Sequence, residues 1–273
     1  QIAEAKKRKK VKSPSQEELI KLLEHYQTGQ YDDAEKLAVY ITQEFPYHQF
    51  GWKVLGAILG QTSRISEAVN ANQKSVELAP QDAEAHYNLG ITLQKLGRFD
   101  EAEASYTQAI ALKPDYALAH NNLGITLQEL GRFDEAEANY TQAIALKPGF
   151  AEPHYNLGIT LQELGRLDEA EASYKQAIAL ESDYAEAHSN LGITLQELGR
   201  LDEAAASYTQ AIALNPENIR AHNRLLMCLF LQDKKSVFFD ELDNFINQDK
   251  ASAVMGSLAC RSALKYGLEK PNL

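Results

Sequence analysis

Cysteine is nearly absent, with Cys228 and Cys260 the only two among 273 residues. Both fall in the last quarter without CxxC or Cys/His spacing, which argues against a disulfide scaffold or a structural zinc site and leaves two small buried apolar side chains. Long apolar runs are missing too. No stretch of about 18 uncharged apolar residues occurs, so no membrane insertion is expected. The basic N-terminus runs into Ser13, Pro14 and Ser15 rather than a secretory apolar core, and a cytoplasmic protein is the expectation. The sequence also lacks GxSxG, a Gly-rich phosphate loop and HExxH, so no catalytic residue, cofactor or metal is expected.

Positive charge is scarce outside the first twelve residues. There Lys6, Lys7, Arg8, Lys9, Lys10 and Lys12 stand against Glu4, a local charge of +5, which with −11 overall leaves −16 for the remainder. A body that acidic excludes nucleic acid as a partner along its length. Residues 1–14 read as a basic, disordered leader, the alternative being a nucleic-acid, anionic-lipid or nuclear-import segment. The chain opens with Gln1 rather than Met, as a fragment or a processed product does.

What the sequence does contain is self-similarity at a spacing of 34 residues. Four units are nearly identical: 83–116, 117–150, 151–184 and 185–218. In the first of them, His86, Leu89, Gly90, Leu93 and Leu96 form one apolar stripe at helical spacing that stops at Gly97. A second helix is expected from Asp100 and Glu101, whose charges suit a helix N-terminus, through Ala102, Tyr106, Ala109, Ile110 and Leu112. Pro114 ends it, and Asp115 is placed to cap the next helix. Gly90, Ala102 and Ala109 are small enough for close helix approach, and Leu89, Leu93, Phe99 and Tyr106 fill the space between. One such hairpin cannot bury both its stripes, whereas stacked neighbours can. The expected class is therefore all-α, a solenoid of stacked helix hairpins.

The register decays outward. Units 15–48 and 49–82 fit through Gly29, Tyr31, Ala34 and Pro46, and through Trp52, Leu55, Gly56, Ala68 and Pro80. A degenerate seventh unit, 219–252, keeps helical spacing but carries Leu226 where Gly192 stood and Phe238 where Ala204 stood. Residues 253–273 are expected to supply a capping helix and tail, the helix over about 253–266.

Five histidines share the 34-residue spacing: His86, His120, His154, His188 and His222. Equivalent points on packed helices lie roughly 8–10 Å apart, while a metal is ligated at about 2 Å, so these rings read as packing within each unit, at the position of Trp52. Acid pairs such as Asp100 with Glu101, or Asp168 with Glu169, read as helix starts.

The run Ala83-Glu-Ala-His86-Tyr87-Asn88-Leu89-Gly90, then Gly97-Arg98-Phe99-Asp100-Glu101-Ala102, then Tyr106, Ala109 and Pro114, resembles the tetratricopeptide repeat. The other three units match at the same offsets, including Gly124, Gly158 and Gly192. The resemblance implies a right-handed superhelix whose first helices line an inner wall. On that wall stand Tyr87, Asn88, Ile91 and Gln94 of the first near-identical unit and their counterparts. The ladder Asn88, Asn122, Asn156 and Asn190 is similar to that of O-linked N-acetylglucosamine transferase repeats, where amides hold the backbone of an extended peptide. The competing reading is that these amides bond only to neighbouring helices or water.

A second ladder, Ile91, Ile125, Ile159 and Ile193, is either half-buried between units or an apolar floor for a ligand. Gln94, Gln128, Gln162 and Gln196 form a third, and Tyr87 and Tyr155 alternate with Asn121 and Ser189. Glu129, Glu163 and Glu197 give the middle a negative charge, whereas Arg220 and Arg224 occupy the corresponding face of the degenerate unit and are suited to an acidic group of the ligand. The clamp by which chaperone-tail-binding members of the family grip a terminal carboxylate is not matched, because isoleucine stands where it needs asparagine.

The expected function is a scaffold binding an extended peptide or protein segment in a groove. One alternative is the recognition arm of a larger bacterial enzyme of glycosyltransferase, sulfotransferase or 2-oxoglutarate oxygenase type, its catalytic domain lying beyond Leu273. Another is end-to-end self-association into a structural fibre. Recent duplication of one unit also accounts for the near-identity without any ligand.

Overall fold

Helix hairpins follow one another along the described residues because each expected apolar stripe there forms a helix, with a glycine at most of the turns within a hairpin and a proline after most of the second helices. The computed structural model describes residues 13–247, which fall into two units parting between Arg132 and Phe133. All the regular structure among the described residues is helical. The leader before Ser13, the capping helix expected over 253–266 and Cys260 lie outside the described residues.

The first unit holds α1 (Gln16–Gln27) and α2 (Tyr31–Glu44), α3 (Gln49–Gln61) and α4 (Ile65–Leu78), α5 (Ala83–Lys95) and α6 (Phe99–Leu112), and then α7 (Ala117–Glu129). Within this unit each helix packs on its neighbours in sequence, from α1 on α2 through to α6 on α7. Ser15 opens α1 with a reciprocal cap, its hydroxyl accepting from the Glu18 backbone while the Glu18 carboxylate accepts from the Ser15 backbone. Asp82 caps α5 by accepting from the Glu84 and Ala85 backbones. The cap expected from Asp115 does not form. The residue in register with Asp82 is Tyr116, which is the N-cap of α7 and brings no side-chain acceptor.

The second unit holds α8 (Phe133–Leu146), α9 (Ala151–Glu163) and α10 (Leu167–Leu180), α11 (Ala185–Glu197) and α12 (Leu201–Leu214), and α13 (Ile219–Leu231) and α14 (Lys235–Asn247). Its core runs from Leu161 to Leu242 and is built from the alanine, leucine and tyrosine positions of the stripe. Here the degenerate unit repacks rather than fails. A Cβ at Gly192 would stand 2.6 Å from the Tyr208 ring, so glycine is required there. In register with that pair stand Leu226 and Leu242, both buried, and Phe238 fills the place of Ala204 with no exposed surface. Volume moves from the tyrosine to both helices, and the interface closes again. Cys228 is buried beside them, its thiol pushed up to about 11 by burial.

Every hairpin turn reaches a positive φ at one place, 34 residues from the next. Gly29, Gly97, Gly131, Gly165 and Gly199 occupy it, but Ser63 and Asp233 adopt it too, at φ 61 and 60. The following arginine ties helices together. Arg166 meets Glu169 of its own helix and, at 2.6 Å, Glu137 of the unit before; Arg200 does the same with Glu203 and Glu171. In the first unit Arg64 clips Glu35 at 2.5 Å and Arg132 clips Glu103 at 2.6 Å.

Candidate functional site: the first-helix faces

The asparagine ladder sits on the first helices as expected, but its amides are not all left to a ligand. Asn122 Nδ2 donates to Tyr87 Oη at 3.2 Å, and Asn190 Nδ2 donates to Tyr155 Oη at the same distance. Asn156 is buried, with only 9% of its surface exposed. Asn88 is half-buried, and its backbone carbonyl accepts from Asn72 Nδ2 at 3.3 Å.

Tyr87 and Tyr155 owe their position to aromatic neighbours. Tyr87 lies 4.8 Å from the Tyr116 ring and 5.9 Å from Tyr106, centre to centre, and Tyr155 repeats this with Tyr184 at 4.8 Å and Tyr174 at 6.0 Å. Burial holds the Tyr155 phenol above its ordinary pKa, so it stays a neutral hydroxyl. Asn121, expected on the same wall, is only 1% exposed and donates to Asn122 Oδ1 at 3.3 Å, so it braces the ladder rather than facing a ligand.

Three of the glutamines lock their own hairpins. Tyr106 Oη donates to Gln94 Oε1 at 2.8 Å, Tyr174 to Gln162 at 3.2 Å and Tyr208 to Gln196 at 3.2 Å. Thr194 Oγ1 also donates to Gln162. Gln128 is half-buried at the same register. Ile91, Ile125, Ile159 and Ile193 are all half-buried, and the last two pack against the second unit's core.

Arg220 and Arg224 stay exposed, and neither has an ion-pair partner among the described residues. They border a cleft of about 650 Å³ completed by Gln196, Ile219, Asn223, Met227 and Leu231. Its walls are largely apolar with two cations at the rim. A segment that carries an acidic group beside an apolar side chain suits it.

The histidines do not approach one another. His86 Nε2 lies 3.1 Å from the Pro80 carbonyl, and His120, His188 and His222 each reach the carbonyl six residues earlier at 3.3 Å. Trp52 Nε1 does the same to Pro46 at 2.9 Å, so imidazole and indole share one duty. Burial holds the His154 ring below its ordinary pKa, against a hydrogen bond to Pro148 that raises it.

The family model of the Cilia and flagella-associated protein 70 C-terminal domain, built on tetratricopeptide repeats, matches residues 16–253. The chain belongs to this tetratricopeptide-repeat family. Among solved tetratricopeptide-repeat structures, TTC0263 of Thermus thermophilus is 30% identical with a TM-score of 0.54, over 67% of this chain and 99% of its own. YrrB, a repeat protein with an unusual peptide-binding site, is 21% identical with a TM-score of 0.56, over 67% of this chain and 95% of its own. PilF of Pseudomonas aeruginosa is 18% identical with a TM-score of 0.67, over 78% of this chain and 97% of its own. No curated protein sequence matches.

Two features of this tetratricopeptide array escape a reading of the repeat motif alone. The arginine clip was visible as Arg and Glu at a constant offset of 29 residues, and the tyrosine–glutamine lock as Tyr and Gln at a constant offset of 12. Pairs that far apart leave no trace in a helical-wheel argument, which looks only three and four residues away. No described helix is long and apolar enough to cross a membrane.

Proposed function

We propose that the chain is a non-catalytic interaction scaffold that holds an extended segment of a partner protein against its first-helix faces. The observation that carries this reading is the cleft at Arg220 and Arg224, where two uncompensated cations flank apolar walls on a face that needs neither for folding. The family's repeat architecture supports a scaffold, and the peptide site of YrrB supports a peptide as the thing bound. Backbone recognition falls to the exposed parts of Asn88, Asn122 and Asn190, each of them half-buried. The isoleucines beside them supply apolar contact.

A displayed random peptide library panned on the chain tests this, with the Arg220→Glu/Arg224→Glu double variant in parallel. Enrichment of acidic peptides on the parent and their loss by tenfold or more on the charge-reversed variant is the expected result. Unchanged binding removes the arginine cleft from the site, and a library that enriches nothing on the parent removes peptide binding altogether.

A further inference from the structure

In the hairpin α3–α4 the tyrosine–glutamine lock is missing at both ends at once. The residue in register with Tyr106 is Asn72, and the residue in register with Gln94 is Gly60. Their surroundings have not changed to match. Gly56 keeps the glycine that Gly90 provides for the Tyr106 ring, and Asn88, Ile91 and Thr92 of α5 are the same residues as Asn122, Ile125 and Thr126 of α7. What remains is a cleft of about 170 Å³ lined by Gly56, Gly60, Asn72, Asn88, Ile91 and Thr92, with Tyr26, Gln61 and Lys95 among its border.

Asn72 does not close it. The side chain is 1% exposed and donates to the Asn88 carbonyl and to Thr92 Oγ1, yet its Oδ1 is buried with no hydrogen-bond partner. An unsatisfied buried acceptor is costly enough that few are kept without a use. The charge at the rim is altered as well. Lys95 stands where Glu129, Glu163 and Glu197 stand in the other units, is exposed, and has no ion-pair partner among the described residues.

We propose that this cleft takes an aromatic side chain of the bound segment, a tyrosine or phenylalanine in the place of the chain's own missing ring, with an acidic residue next to it paired to Lys95. The chemistry comes from the protein's own template: in the hairpins of Tyr106, Tyr174 and Tyr208, an aromatic ring rests on a glycine of the facing helix at these positions. A phenol hydroxyl also brings the donor that Asn72 Oδ1 lacks. The inference rests on the peptide-binding reading above and sets what sequence the peptide has at one position.

The test uses a displayed random heptapeptide library on the full chain and on two variants. Gly60→Gln/Asn72→Tyr fills the cleft with the chain's own lock and is expected to melt higher than the parent, which shows that it folds. Lys95→Glu changes only a surface charge. Peptides with an aromatic residue beside Asp or Glu are expected to enrich on the parent, to be lost by at least tenfold on the filled variant, and to be replaced by less acidic ones on Lys95→Glu. Equal enrichment on parent and filled variant, or a parent motif without an aromatic residue, overturns the cleft while leaving peptide binding standing. No enrichment on the parent overturns both.

Discussion

Hairpin α3–α4 and hairpin α5–α6 are neighbours in one unit with the same backbone, yet they hold themselves together by different chemistry. Where α5–α6 has the Tyr87 and Tyr116 rings in tilted contact at 4.8 Å, the same register in the earlier hairpin holds Lys53 and Asp82 as an ion pair at 3.1 Å. Lys53 also meets Glu84, and Gln49 bridges Ser75 and Asp82, each at 2.9 Å. Where α5–α6 has Tyr106 bonded to Gln94, the earlier hairpin has Asn72 and Gly60. The comparison teaches that the fold asks only for helices of the right spacing and small residues at the crossing. What fills the crossing, aromatic or polar, is free to vary, and that freedom is where a binding site has room to form.

The largest expected effect breaks the aromatic side of the comparison. Tyr106→Ala removes a fully buried ring and is expected to cost about 3–5 kcal/mol, whereas Asn72→Ala, removing a side chain whose acceptor is already unpaired, should cost under about 1.5 kcal/mol. Urea unfolding of the two variants decides it. Next come the facing glycines. A Cβ at Gly90 would stand 2.6 Å from the rigid Tyr106 ring, but at Gly56 it would meet the end of the Asn72 amide, which has a cleft beside it to move into. Gly90→Ala is therefore expected to cost about 1–3 kcal/mol and Gly56→Ala distinctly less, again by urea midpoint.

A smaller effect sharpens the comparison at the turns. Ser63 takes the left-handed conformation before α4 that Gly97 takes before α6, so Ser63→Gly should stabilise by about 0.5–1 kcal/mol, read as a rise in melting temperature. Asp233→Gly should gain less, since aspartate tolerates that conformation better than serine. The smallest effect concerns the ring that reaches back to the carbonyl six residues earlier, tryptophan in α3 and histidine in the later units. Burial favours neutral His154 in the folded chain, so its contribution is complete above the unfolded value of about 6.5 and is lost as pH falls below it. His154→Trp should flatten the decline of melting temperature between pH 7 and 5, and an unchanged profile would show that His154 carries none of it.

Much of the fold was legible because it is written in repetition. Stripe, glycine, proline and alanine recur at one spacing, and the helices follow them within a residue or two from α3 to α14. Asp115 misled because the register of the cap is set by the backbone of the preceding turn, which places Tyr116 there. The site was legible as a face but not as a set of free groups. Helical offset puts Asn122, Gln162 and Tyr155 on the right side of their helices, yet it does not say that Tyr87 of the preceding repeat will claim Asn122, or that Asn190 and Thr194 of the following one will claim Tyr155 and Gln162. The vacancy at Asn72 and Gly60 was present in the sequence as two departures from the repeat. It becomes meaningful only when the ring and the carboxamide they replace are seen to touch one another.

The arginine clip bears on how such a chain grows. Because Arg and Glu stand at the same places in units 83–116, 117–150 and 151–184, a copy of one of these inserted between two others brings the correct half of each ion pair for both of its new neighbours. No adjustment is needed at the junctions, so the array lengthens by whole units as readily as a chain of identical links. The exceptions mark where copying stopped. Val69 denies Arg98 the partner that Glu103 gives Arg132, and Ala205 denies one to Lys234, which turns to Asp202 instead. These two seams bracket the run of copies, and each falls in a repeat that also lines one of the two clefts.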